Sequence, residues 1–139
     1  MPLVRITLSA TRSARACAKI ADRVHDALVS SLGIPQGDRF QVIESKWGDD
    51  MRFDPDYLDV DRSNPVLLEI TLAKGRDVTK KRALYQALAA NLAEAGVRPQ
   101  DVMVVLHETA REDWSFGNGE MQMLDEPLLR KYGWTPPEA

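Results

Sequence analysis

The chain has 139 residues, 44% of them hydrophobic, enough to bury one core, so a single domain over 1–139 is expected. Its 18 Lys and Arg against 21 Asp and Glu leave a net charge of -3, which excludes the basic excess of a nucleic-acid binder. No apolar run reaches the length of a membrane span, and the single Cys17 excludes an intrachain disulfide.

The first element follows Met1 at once. Pro2 opens the alternating stretch Leu3-Val4-Arg5-Ile6-Thr7-Leu8, which reads as a strand with no charged-then-apolar leader before it. A soluble, cytoplasmic protein is therefore expected. If Met1 is removed, Pro2 carries a secondary amine fixed to the head of a strand. A free α-amino group titrates near ~8, and burial or neighbouring cations would bring a proline amine towards neutrality, within reach of proton-transfer chemistry. A Met-Pro start alone is just as well a start-codon neighbour, so the rest of the chain decides.

Ser13 is an N-cap, followed by Cys17, Ile20, Ala21, Val24 and Leu28 at helical spacing. Cys17 on that apolar face is a small buried hydrophobe rather than a thiol catalyst. Gly33 stops the helix, Pro35 prevents its resumption, and Phe40-Gln41-Val42-Ile43 forms a second strand. The stretch 46–65, rich in Asp, Gly and Pro, is a linker with a turn at Asp54-Pro55-Asp56 and room for strand or hairpin pieces around Met51 to Phe53. Val66 to Ala73 is the next strand. Asp77 caps a helix with Leu84, Ala87, Leu88 and Leu92 as its stripe and Gly96 as its stop, and Val102 to Leu106 is the last strand. In the tail, 111–139, the glycines of Trp114-Ser115-Phe116-Gly117-Asn118-Gly119 shape a tight turn, the aromatics need burial, and Pro127, Pro136 and Pro137 follow.

The two halves repeat. Val4 to Leu8 matches Leu68 to Leu72, Arg12 matches Arg76, Pro35 matches Pro99 and Glu44 matches Glu108, each pair separated by 64 positions (99 − 35). The chain is thus β-α-β twice over, about 2–45 and 66–110. Two right-handed crossovers give an α/β (α+β) fold, a four-stranded sheet with both helices on one face. Met103 and Val105 alternate with Val102, Val104 and Leu106, so both faces of the last strand read as buried. Another subunit would cover the second face.

An N-terminal proline heading tandem β-α-β units resembles the tautomerase superfamily. Within it, Gly33-Ile34-Pro35-Gln36-Gly37-Asp38-Arg39-Phe40-Gln41 and Asp113 to Gly119 are similar to segments of the malonate semialdehyde decarboxylase group. The resemblance extends from Pro2 to about Gln122. It implies Pro2 as the catalytic amine, Asp38 as its assisting acid, Trp114 and Phe116 as aromatic residues at the pocket, and a homotrimer. Of the two arginines with which the decarboxylase grips a carboxylate, Arg76 matches and Lys74 does not. A lysine offers a point charge where arginine offers a planar fork.

The residues support that transfer independently. Lys74 and Arg76 lie between a strand end and a helix N-terminus, a position that favours an anion, although a solvated turn would look the same. Asp38 after Gly37 would serve equally as an Asx-turn acceptor. Arg5 and Arg12 are further candidates for the same cleft, and Glu69 reads as an edge or intersubunit hydrogen-bonding residue. His25 and His107 have no companions at metal-ligand spacing, and neither a phosphate loop nor a nucleophile elbow is present. The reading is a cofactor-independent, metal-free tautomerase acting on a small oxo acid through Pro2, Asp38 and Arg76, with Lys74, Arg76, Trp114 and Phe116 binding substrate. The alternatives are a decarboxylase or hydratase of malonate semialdehyde type, and a non-catalytic oligomeric binding module.

Overall fold

The computed structural model describes residues 1–134; the tail prolines Pro136 and Pro137 lie outside them. Strand β1 (Pro2–Ser9) leads into helix α1 (Ala14–Leu32) and strand β2 (Phe40–Lys46). Strand β3 (Val66–Ala73), helix α2 (Val78–Glu94) and strand β4 (Val102–Thr109) repeat the pattern, and a short helix α3 (Glu126–Lys131) closes the described chain.

The cap chemistry sets the helix bounds. Ser13 accepts a hydrogen bond from the Ala16 backbone at 3.1 Å, and Asp77 accepts one from Lys80 at 2.9 Å. Each such cap contributes ~1 kcal/mol. Gly33 ends α1 at φ 68°, a left-handed turn in which any β-carbon is strained.

The sheet order is β2-β1-β3-β4. Each edge strand runs parallel to its neighbour, as a crossover requires, while the central β1 and β3 are antiparallel. One face carries Val4, Ile6, Leu8, Leu68, Ile70 and Leu72, all buried under the apolar stripes of α1 and α2. The helices are also tied directly, Asn91 Nδ2 donating to the Arg23 carbonyl at 3.2 Å.

The opposite face has no cover among the described residues. Met103 is 49% and Val105 38% exposed, and on the other face Val102, Val104 and Leu106 are partly buried against the core, so the apolar alternation read as two-sided burial is only half met among the described residues. Charge lies on the same face. Arg5 stands opposite Glu69 across β1 and β3 and pairs with Glu44 at 3.3 Å. Glu69 therefore sits in a central strand rather than at an edge. The second and fourth strands run past their expected ends, to Lys46 and Thr109.

The linker forms no hairpin. Short 3-10 turns at Gly48–Asp50 and Tyr57–Asp59 flank Met51 to Phe53, which join no sheet. The coil is held by side chains instead of a ladder. The Arg62 guanidinium donates to the carbonyls of Tyr57 at 3.0 Å and Val60 at 3.2 Å. The buried Asp101 carboxylate accepts from the Ser63 and Asn64 amides at 2.8 and 3.1 Å, fixing the chain's entry into β3. Among the described residues no helix is long and apolar enough to cross a membrane.

Candidate active site

Strand directions bring three distant parts of the chain to one place. Because β1 and β3 are antiparallel with Pro2 beside Leu72, the chain's start lies against the end of β3, just before Arg76. Because β2 is parallel to β1 with Leu3 beside Phe40, Asp38 arrives at the same end. The tail completes the enclosure. The resulting cavity, about 650 Å³, is bounded by Met1, the Pro35 to Asp38 loop, Phe40 and Phe116, and by Met123, α3 and Trp134 from the tail.

Met1 is fully buried at the cavity edge. Its amine is ion-paired to Asp38 Oδ2, a carboxylate that is itself only 12% exposed. Trp134 Nε1 donates to the same oxygen at 3.4 Å. Burial, the largest effect, pushes the Met1 amine below its ordinary pKa; the hydrogen bond and charge of Asp38 push it back up, and the Arg76 charge adds to the lowering. The Met1 side chain packs with Ala73, Met123 and Leu129, against Trp114 and Trp134.

Arg76 is held by its own strand, Nη1 donating to the Ala73 carbonyl at 2.7 Å. Partial burial lowers its pKa, opposed by the charges of Glu108 and Asp38. Lys74 differs: its backbone amide bonds the Thr109 carbonyl at 2.8 Å, and the residue is exposed. Trp114 and Phe116 form one wall. Their rings stack at 5.5 Å with 11° between planes, and Phe116 meets Phe40, also at 5.5 Å. Trp114 Nε1 donates to Thr109 Oγ1 at 2.7 Å, and that hydroxyl donates to the Leu72 carbonyl at 3.1 Å, fastening the wall to the sheet. The turn at Gly117, Asn118 and Gly119 uses positive φ at all three residues and is bridged by the Gln122 side chain, 2.8 Å from both Phe116 N and the Gly117 carbonyl.

Pro2, Asp38, Arg76, Trp114 and Phe116 lie at one end of the sheet and Lys74 is outward, but of these residues Asp38 and Phe116 line the cavity while Pro2, Lys74, Arg76 and Trp114 do not. Arg5 is on the uncovered sheet face, and Arg12 bonds the Asn64 carbonyl at 3.0 Å, at the other end of β1; neither borders the cavity. Three contributors were not singled out from sequence. The buried His25 Nε2 donates to the Gln36 carbonyl at 2.8 Å and so holds the loop bearing Asp38. Met1 fills space of its own. The tail residues Met123, Leu129 and Trp134 form a wall whose only sequence signal was apolar side chains among polar ones.

Known proteins are similar to this chain in sequence and fold. Two family models, both described as tautomerase enzyme, match residues 38–117 and residues 2–52. The chain belongs to the tautomerase family and is an enzyme of that kind. "Probable tautomerase YusQ" of Bacillus subtilis is 36% identical over 127 residues, spanning 90% of this chain and all of that one. Among solved structures, FG41 malonate semialdehyde decarboxylase inhibited by 3-bromopropiolate superimposes with a TM-score of 0.86 at 36% identity, covering 90% of this chain and 96% of that one. A fused 4-OT symmetric trimer shares the fold, with a TM-score of 0.75 at 23% identity over 89% and 98% of the two chains.

Proposed function

We propose that this enzyme interconverts the keto and enol forms of a small oxo acid, using the Pro2 amine exposed by removal of Met1 as acid and base. The observation that carries the reading is the chain terminus itself, buried against Asp38 and within the field of Arg76. Arg76 holds the substrate carboxylate, and Lys74 contributes charge from the rim. Burial favours the neutral amine, which takes a proton from the carbon beside the carbonyl or from the enol hydroxyl and returns it elsewhere. Asp38 orients the amine and limits how far its basicity falls. Trp114 and Phe116 exclude water from the reacting atoms.

A second reading rests on the Asp38 ion pair. If that carboxylate keeps the amine cationic, the amine acts as an acid, polarising a carbonyl for hydration or decarboxylation, in keeping with the likeness to malonate semialdehyde decarboxylase. The test is turnover of phenylenolpyruvate and 3-oxopropanoate by one sample whose loss of Met1 is verified by intact mass. Tautomerisation should dominate, retention of Met1 should abolish it, and Pro2→Ala should lower it by orders of magnitude. Unchanged turnover with Met1 attached would remove the proline mechanism.

The uncovered sheet face supports a homotrimer as the working form. Leu3, Val42, Met103 and Val105 are all exposed on it, an apolar area of the sort that closed symmetry buries. Light scattering should return three times the 15.6 kDa chain mass.

A further inference from the structure

We infer that the enzyme's substrate is a 2-oxo acid with an unbranched apolar tail, bound in the place that Met1 fills while it is still attached; this rests on the proposed use of the Pro2 amine. Met1 has two parts in two environments. Its charged head lies at Asp38 under the influence of Arg76. Its side chain, four heavy atoms in an unbranched line, is wholly buried among Ala73, Met123, Leu129, Trp114 and Trp134. Removal of this residue beside Pro2 leaves a void with a polar end at the reacting amine and an apolar end in the tail. That void adjoins the 650 Å³ cavity, which Met1 borders and which the apolar side chains of Phe40, Phe116 and Leu128 also line.

A three-carbon oxo acid would fill only the polar end. The apolar end would then hold water against Met123 and Leu129 or stand empty, and either costs binding. An acid whose tail runs from the carbon beside the carbonyl into that chamber buries it fully. The chemistry balances without a co-reactant. A proton leaves the third carbon for the Pro2 amine, its bonding pair becomes the carbon–carbon double bond, and the carbonyl oxygen takes a proton from water. In D2O the reverse step delivers deuterium to that carbon.

The experiment uses Met1-free protein, checked by intact mass, and two measurements. Binding of the inert acids acetate, butanoate and hexanoate is read by calorimetry, and deuterium uptake at the third carbon is read by NMR for pyruvate and for 2-oxo-4-(methylthio)butanoate, whose tail copies the methionine side chain. Each buried methylene should tighten binding about fourfold, so hexanoate should exceed butanoate by roughly fifteenfold, and exchange should favour the longer oxo acid by at least tenfold in kcat/KM. Leu129→Gln should flatten both trends; if that variant does not fold, the chain-length series on the native sequence decides alone. Binding that is flat with tail length, or 3-oxopropanoate turnover faster than exchange of the long-tailed acid, would overturn the inference. The outcomes separate the two claims. Flat binding with Pro2-dependent exchange removes the apolar-tail inference and leaves the tautomerase reading. A rise of binding with tail length but no exchange on any acid upholds the chamber and removes the tautomerase reading.

Discussion

Replacing Arg76 with Ala tests carboxylate recognition most directly. In the native chain one guanidinium nitrogen is committed to the Ala73 carbonyl at 2.7 Å, which fixes the plane of the fork and leaves its other donors for a ligand. The residue is partly buried, so its contact with an anion is screened less than a surface pair would be. A charge-assisted hydrogen bond contributes about 1.5–3 kcal/mol, which is roughly a ten- to hundred-and-fiftyfold factor. Arg76→Ala should therefore lower kcat/KM for phenylenolpyruvate by at least tenfold. Arg76→Lys should recover part of the loss, because it restores charge without the planar fork. The control is the uncharged methyl ester, assayed by the same ultraviolet ketonisation signal, for which both variants should lose little. If acid and ester fall equally, Arg76 serves the fold of the β3–α2 turn rather than the substrate.

Three further outcomes are expected. Asp38 raises the pKa of the Met1 amine that burial lowers; on the proposal that the Pro2 amine keeps this partner once Met1 is removed, Asp38→Asn should shift the acid limb of the kcat/KM profile to lower pH, because the neutral base then persists further into acid, and a shift to higher pH would contradict that pairing. Met103→Asp puts a charge on the exposed sheet face and should break the proposed trimer, seen as a fall in light-scattering mass with the helical circular dichroism retained. Leu88→Ala, fully buried under the sheet, should cost about 2–5 kcal/mol in urea unfolding.

Local rules made most of the fold legible. Ser13, Gly33 and Asp77 are strong caps, and Val66–Ala73 appears in the structure with the bounds its apolar run implied. The parts that were not legible depend on partners distant in sequence. Met51 to Phe53 looked able to pair, but they join no strand, and Arg62 holds the turn that follows through the carbonyls of Tyr57 and Val60. The antiparallel β1–β3 pairing is a tertiary choice, and from it follows whether Arg12 or Arg76 meets the terminus. Only Arg76 does, because Pro2 lies beside Leu72. In the tail, periodicity is lost after Ala110, and Trp134 reaches Asp38 across 96 positions of sequence, a contact that no local pattern encodes.

The antiparallel centre of the sheet also divides labour between the halves. The terminus and Asp38 come from the first β-α-β unit, whereas Arg76 comes from the second and the aromatic wall from the tail behind it. On the proposed function, proton transfer and ligand grip are thereby encoded in separate stretches of the gene. The separation is incomplete, because the Arg76 charge lowers the pKa of the terminal amine and Trp134 Nε1 donates to Asp38, so a substitution at either position would reach the first unit's end of the site as well. In the second unit the Asp101 carboxylate stands just before the closing strand, as Asp38 stands before β2 in the first, and there it accepts from the Ser63 and Asn64 amides in place of a chain terminus.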